Sequence, residues 1–516
     1  MTSRLQPSTF RRFQPWSLIL AVVAIAILSA ACQQPAVSTP VTAGLSPTPL
    51  ATPTGKPVVL KTLKTSPETG YVGTTVTVTG DGLPPGKAAQ IVWVTVDGSY
   101  LLNQNTETIE YVDRQFTDKR TSVVQTSIDG TGHLTASFSV PEDYGETHDI
   151  YAVVDGQDVA KGGFSIVRNV TIAPQEGAVG TPITITVKGL GWTPYANTLA
   201  VLYDDHYAGF ISAVTTHGTA QARIRAAGSS GVHSIRITDA SGAVPYLNAE
   251  QSPRKLPQFE FTFDVTRDAG SLPAALDWPD DTHITVTETV TKTTQGNQVA
   301  MPSTNANLSP STGPILSKTI LHASSLPPDA TLDLLWVSVK GNRVSPSGWN
   351  LITLPLGQTT TSHDGSLTTD LEIPDDLGGW HMVDLVQGQK VLTEVPFLVT
   401  RSLVSVSPTQ VKAGDEFTIE IKGVGWTELD NGIAVTYDNA YAGYACGFNS
   451  QGDVTLHLTA SGSPGTHLID LYPMIFLGHG KGPWDYDLPQ LTLQDQPGLA
   501  LGYRLPAFRL AIQVMP

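Results

Sequence analysis

Beyond residue 57 the chain alternates between apolar and polar positions. Ile183, Ile185 and Val187 are separated by Thr184 and Thr186; Phe417, Ile419 and Ile421 are separated by Thr418 and Glu420. Further on, Leu199, Val201 and Tyr203 share one face, as do Ile433, Val435 and Tyr437. An apolar period of two marks strands that bury one side. Turn pairs such as Asp129-Gly130, Asp364-Gly365 and Gln451-Gly452 interrupt the alternation at short intervals. No amphipathic helical period competes with it after the first 32 residues. Short antiparallel strands punctuated by turns predict an all-β chain of β-sandwiches.

The pattern repeats. Lys188-Gly189-Leu190-Gly191-Trp192-Thr193 returns 234 residues later as Lys422-Gly423-Val424-Gly425-Trp426-Thr427. Tyr203-Asp204-Asp205-His206-Tyr207-Ala208-Gly209 returns at the same offset as Tyr437-Asp438-Asn439-Ala440-Tyr441-Ala442-Gly443. A second repeat interleaves, matching Ser66-Pro67, Leu83-Pro84-Pro85 and Trp93 to Ser309-Pro310, Leu326-Pro327-Pro328 and Trp336. The predicted order is A-B-A′-B′, over 58–168, 169–268, 283–401 and 402–516, with a linker at 269–282. Each unit has about 100 residues, the size of one domain.

The run Gly73-Thr74-Thr75-Val76-Thr77-Val78-Thr79-Gly80-Asp81-Gly82-Leu83-Pro84-Pro85, after Ser66-Pro67, resembles the opening of an IPT/TIG-type immunoglobulin-like domain. Ala178-Val179-Gly180-Thr181 with Gly189-Leu190-Gly191-Trp192, and Ala413-Gly414-Asp415 with Gly423-Val424-Gly425-Trp426, are similar to it. The A′ unit departs, carrying Ala323-Ser324-Ser325 in place of Gly-x-Gly. The resemblance implies four tandem immunoglobulin-like β-sandwiches in a surface, adhesive or spacer protein. Such units are also appended to polysaccharide-acting enzymes, which leaves an accessory glycan-binding role open. No catalytic domain is left over here.

The first residues add an address. Arg4, Arg11 and Arg12 precede an apolar run from Ser17 to Ala31, too short for the roughly 20 residues of a membrane-spanning helix, so residues 1–31 read as an export signal. Leu28-Ser29-Ala30-Ala31-Cys32 resembles the lipobox of bacterial lipoproteins, although its leucine stands one position early. The resemblance implies lipidation at Cys32 and a partner in the membrane. Residues 32–57 form a Pro/Thr-rich stretch that cannot bury a core, and read as a disordered tether. The other cysteine, Cys446, has Ser212 at its place in the earlier copy, and no disulfide framework exists. A net charge of −16 argues against a nucleic-acid partner.

Candidate chemistry is sparse. In Gly-x-Gly-Trp the glycines suit a turn, and the aromatic is expected to plug the end of a sandwich. Tyr-Asp-Asp/Asn-x-Tyr suits a tight hairpin better than a calcium site, which needs six to eight oxygens. His148, His233, His381 and His467 each follow a glycine, one per unit, and are expected to hold the start of a late strand. Glu142-Asp143 and Asp375-Asp376 read as solvated turns. Neither zinc-ligand spacing nor a nucleophile elbow occurs, and neither an enzyme nor a cofactor is implied; a hydrolase with an inter-domain site is the weakest alternative. The stretches where the copies differ remain. B′ inserts Tyr472, Phe476, Trp484, Asp485, Tyr486 and Asp487 after Leu471, and A has an extra run from Tyr111 to Arg120. Loop aromatics beside carboxylates suit a protein or glycan ligand, with Tyr472, Trp484 and Tyr486 as the candidate surface. Packing against a neighbouring domain is the alternative.

Overall fold

In the computed structural model the chain divides into two units, 1–57 and 58–516. The structure describes residues 59–104, 107–251, 258–279, 291–292, 305–341, 348–448, 450–476 and 487–516. The expected signal, tether and lipidation site at Cys32 lie outside the described residues, as do Trp484 and Tyr486. Among the described residues no helix is long and apolar enough to cross a membrane.

The second unit is a tandem series of β-sandwiches. In the first, Lys61–Ser66, Thr75–Gly80 and Leu134–Ser139 form one layer. Thr69–Gly70, Gln157–Ile166, Glu146–Val154, Ala88–Gln104 and Ile109–Ser127 form the other. The short Thr69–Gly70 strand runs parallel to the last strand, and all the following strands of that layer are antiparallel. The second sandwich repeats this order with Asn169–Ala173, Pro182–Lys188 and Ala220–Arg225 facing Glu176–Gly177, Gln258–Val265, Gly231–Ser241, Thr198–Tyr203 and His206–Ser212. The third and fourth do the same, ending on the edge strands Trp349–Thr360 and Ala440–Cys446. Within the expected linker, Ala275–Asp277 pairs with the strand Ala507–Met515 and so belongs to the fourth sandwich.

The alternation read from the sequence is the core. Ile183, Ile185, Val187, Phe417, Ile419 and Ile421 are all buried. Trp93 and Trp336 occupy the first and third cores. Each indole Nε1 donates to a buried carboxylate, Asp143 Oδ2 or Asp376 Oδ2, at 2.8 Å, because a buried indole N–H needs an acceptor. This corrects the reading of both acidic pairs as solvated turns. Only the first member of each faces out, where Glu142 meets Lys188 and Asp375 meets Lys422.

Tandem sandwiches meet at repeated joints. His148 stacks on Trp93 (4.4 Å) and lies 5.0 Å from Trp192 of the next sandwich; His381 stacks on Trp336 (4.5 Å) and lies 5.2 Å from Trp426. The Gly-x-Gly-Trp tryptophan therefore fills the joint between two sandwiches rather than the end of one. The chains come so close that a Cβ on Gly145 would lie 2.1 Å from the Gly189 carbonyl oxygen, and one on Gly378 1.9 Å from that of Gly423.

The repeated tyrosine hairpin is a two-residue turn. Asp204 and Asp205, like Asp438 and Asn439, have positive φ, as a type I′ turn requires. The turn is latched by the late-strand histidine: His233 Nδ1 donates to Asp204 Oδ2 (2.5 Å) and His467 Nδ1 to Asp438 Oδ2 (2.6 Å). Each Nε2 faces a carbonyl oxygen, of Ser229 or Ser463, so only the doubly protonated ring satisfies both contacts. For His467 the hydrogen bond to Asp438 outweighs burial and raises the pKa. For His233 burial opposes the charge, but the Asp204 and Ser229 hydrogen bonds prevail and raise it. A raised folded pKa gives stability that is complete below about 6.5 and lost as pH climbs through the folded value. Stability is therefore expected to fall above pH 6.5, and the His233→Gln/His467→Gln variant to lose that slope. Urea titrations across pH 6.5 to 8.5 check this. Burial pushes the carboxyls of Asp384 and Asp487 up to about 6, and the histidine double variant separates their contribution from that of the latch.

Candidate functional site

The stretches present in one copy and absent from the other were the places to seek a ligand. In the structure two of them meet each other. The first sandwich's hairpin, Ala88–Gln104 with Ile109–Ser127, outgrows its counterpart Thr331–Gly341 with Trp349–Thr360. Its Tyr100, Leu102, Ile109 and Tyr111 share a buried cluster with Val214 of the second sandwich and Leu429, Ile475 and Tyr503 of the fourth. The carboxylate of Asp495, fully buried, is the polar centre of this junction. It accepts from Tyr100 Oη (3.0 Å), Val214 N (2.9 Å), Thr215 N (2.8 Å) and Thr215 Oγ1 (2.8 Å). Nearby, Tyr111 N donates to Glu428 Oε2 (2.8 Å) and Trp426 Nε1 to the Glu107 carbonyl (2.7 Å). The run from Tyr111 to Arg120 is thus a strand of this clamp, not a free loop.

Tyr472 also faces inward, which removes it from the candidate ligand surface. Leu471 points into the fourth core, so alternation turns Tyr472 to the opposite face, where the second sandwich docks. There its hydroxyl accepts from Arg509 Nη1 (2.7 Å) and donates to the Arg223 carbonyl (3.3 Å), and burial pushes it up to about 12. Around it runs a buried ionic network: Arg225 Nη2 to Asp470 Oδ1 at 2.6 Å, Arg509 Nη1 to Asp470 Oδ2 at 3.2 Å, and Arg509 Nη2 to Asp277 Oδ2 at 2.9 Å. Asn439 Nδ2 adds a bond to the Arg225 carbonyl at 2.7 Å. The second and fourth sandwiches share one hydrophobic cluster across this interface.

An aromatic surface remains outside. Tyr444, half exposed on the edge strand Ala440–Cys446, lies 6.0 Å from Phe476. Phe476 lies 5.7 Å from Phe448, and Phe448 lies 6.4 Å from Trp349 of the third sandwich. Tyr441, on the same strand, packs edge-on to Tyr207 at 6.3 Å, and its hydroxyl donates to the Asp487 carbonyl. Burial raises the Asp487 carboxyl to about 6. Ring faces with one carboxyl at their rim can take an apolar side chain or the face of a sugar. Among the described residues no group of three or more His, Cys, Asp or Glu side chains is placed to hold a metal.

Of this surface only Phe476 and Asp487 were singled out from the sequence. The signal for Phe448 was its replacement of Val214 in the 234-residue copy. Tyr444 replaces Phe210, an aromatic for an aromatic, and gave no signal. What separates them is cover: Phe210 is 2% exposed and Tyr444 50%.

The strand order decides the class. In each of the four a three-stranded layer faces one of at least five strands, and the short opening strand of that layer runs parallel to the last one. These are tandem immunoglobulin-like sandwiches. No family model matches the chain, and no curated protein matches it. Among solved structures, an ICAM-5 ectodomain fragment is 11% identical, with 88% of this chain and 100% of that one covered at a TM-score of 0.18. Invasin, a bacterial integrin-binding protein, is 10% identical over 88% of this chain and 79% of its own, also at 0.18. A membrane anchored protein from Corynebacterium diphtheriae is 12% identical over 66% and 91%, at 0.17. A Salmonella alpha-2-macroglobulin is covered over only 30% of its length, at 0.17. Superpositions of this quality carry no argument about function.

Proposed function

We propose that the chain is an exported, non-catalytic lipoprotein whose closed body of four immunoglobulin-like sandwiches, of the IPT/TIG kind, is a binding or adhesion head at the cell surface. The lipobox-like ending at Cys32 and the Pro/Thr-rich stretch after it support an anchored head on a stalk. The clamp at Asp495 and the shared cluster of the second and fourth sandwiches speak against a spacer, which needs its domains in file. The observation that carries the reading is the exposed aromatic surface around Tyr444. A partly exposed aromatic near the centre of a contact commonly dominates binding. Tyr444→Ala is therefore expected to weaken capture on a whole-cell-surface or glycan array by about tenfold or more, with the fold unchanged by circular dichroism. Capture equal to wild type would remove this surface from the account. The Asp487 carboxyl beside the rings favours, as a second reading, a glycan; signal on the glycan array alone would select it. Mass spectrometry of the mature amino terminus tests the anchor, with a diacylglyceryl-modified Cys32 expected.

A further inference from the structure

The edge of the second sandwich is already met by an added extended segment. Its edge strand, His206–Ser212, is flanked by residues 489–491 of the fourth sandwich's insertion, which run alongside it in parallel. Phe210 N donates to the Pro489 carbonyl (3.0 Å), and Leu491 N donates to the Phe210 carbonyl (2.9 Å). The side chain of Leu491 sits over Gly209: a Cβ there would lie 2.6 Å from the Pro489 oxygen and 2.8 Å from Leu491 Cδ2. The chain thus satisfies an exposed edge with its own extended segment.

The fourth sandwich has the same edge, and among the described residues no main-chain segment runs along it at Tyr444. Ala440–Cys446 pairs with its neighbour in identical register, Ala434 opposite Tyr444 as Ala200 is opposite Phe210. Both ladders shift register at the same place, between Val201 and Leu202 and between Val435 and Thr436. The Tyr444 N–H and C=O must therefore point outward, as those of Phe210 do, and among the described residues no main-chain group bonds to them. Gly443 keeps the conformation of Gly209, φ 145° against 150°, yet among the described residues nothing lies within 4 Å of where its Cβ would be. The edge strand carries no charged residue, and charge is a usual guard against strand addition.

We infer that Ala440–Cys446 is a strand-addition site that takes an extended polypeptide segment of a partner protein in parallel, with two main-chain bonds at Tyr444 and an apolar side chain over Gly443. The inference rests on the reading of the fourth sandwich as a binding surface and names its partner class. In this mode main-chain bonds supply affinity and the open position over Gly443, with the rings of Tyr444 and Phe476 nearby, supplies selectivity.

The test uses the 58–516 chain, which holds all the described cores, and a synthetic peptide with the sequence of residues 488–493, Leu-Pro-Gln-Leu-Thr-Leu. Binding is followed by fluorescence anisotropy and by exchange of the Tyr444 amide hydrogen. The peptide is expected to bind and to slow exchange at Tyr444. Tyr444→Pro, which removes only an outward N–H and is tolerated at an edge, is expected to abolish binding, while Tyr444→Phe keeps it. A charge on the exposed edge, Ala442→Lys, is expected to weaken binding as well. No binding, protection confined to residues elsewhere, or a Tyr444→Pro variant that binds like wild type would overturn the inference. If the peptide fails but Tyr444→Ala still loses surface capture, strand addition falls and the aromatic binding surface stands.

Discussion

Replacing Asp495 with alanine is expected to lower the unfolding free energy of the 58–516 body by about 3 kcal/mol or more and to release the long hairpin of the first sandwich. The carboxylate is fully buried and is the acceptor for four donors drawn from two other sandwiches. Removing it orphans Val214 N, Thr215 N and Thr215 Oγ1 inside a cluster from which water is excluded, while the Tyr100 hydroxyl keeps the Asp495 main-chain carbonyl at 2.8 Å. Burial, the largest cause that holds the Tyr100 phenol well above its ordinary pKa, remains in the variant, so the phenol stays neutral. Asp495→Asn keeps an acceptor oxygen but brings an NH2 among donors, and should recover only part of the loss. Chemical unfolding gives the energy, and hydrogen exchange at Tyr100 and Tyr111 shows the release. An alanine variant with wild-type stability and wild-type protection of the hairpin would mean the clamp is incidental.

The second large effect lies at the interface of the second and fourth sandwiches. Asp470→Ala is expected to cost about 3–5 kcal/mol, because it leaves the Arg225 guanidinium buried without its carboxylate, while Arg509 keeps Asp277. The cost comes from stranded charge more than from the lost attraction. Arg225→Ala combined with Asp470→Ala should therefore cost clearly less than the two single changes added, with a coupling of roughly 1–3 kcal/mol in a double-mutant cycle. Additive losses would show that the two side chains do not act as a pair.

Much of the fold was legible because alternation and repetition carry it. Ile183, Ile185 and Val187 declare a half-buried strand, and the 234- and 243-residue copies declare a domain type used more than once. The local turn at Asp204-Asp205 and its twin were readable for the same reason: two adjacent positive-φ positions suit few residues. What the residues could not disclose was which surfaces meet. Tyr472 looks like any loop aromatic until alternation from Leu471 is followed across the strand onto a face that another sandwich covers. Asp143 and Asp376 follow a proline and an acidic neighbour, like solvated turn residues, and only the position of Trp93 and Trp336 turns them inward. The histidines were rightly placed at the start of late strands, but their partners were legible only in part. A stacked tryptophan and an Asp in a turn lie dozens of residues away in sequence. The surface around Tyr444 was hidden for a different reason. Tyr444 matches Phe210 of the earlier copy in kind, and among the described residues what distinguishes the two is the segment that covers Phe210.

The central claim is that the four sandwiches form one closed body. Small-angle X-ray scattering of residues 58–516 tests it most directly. The closed arrangement predicts a radius of gyration approaching that of a single compact body, roughly 23 Å for a globule of this length, and one that rises in the Asp495→Ala/Asp470→Ala variant. A wild-type value about twice as large, unchanged by those substitutions, would mean four sandwiches in file and would contradict the account.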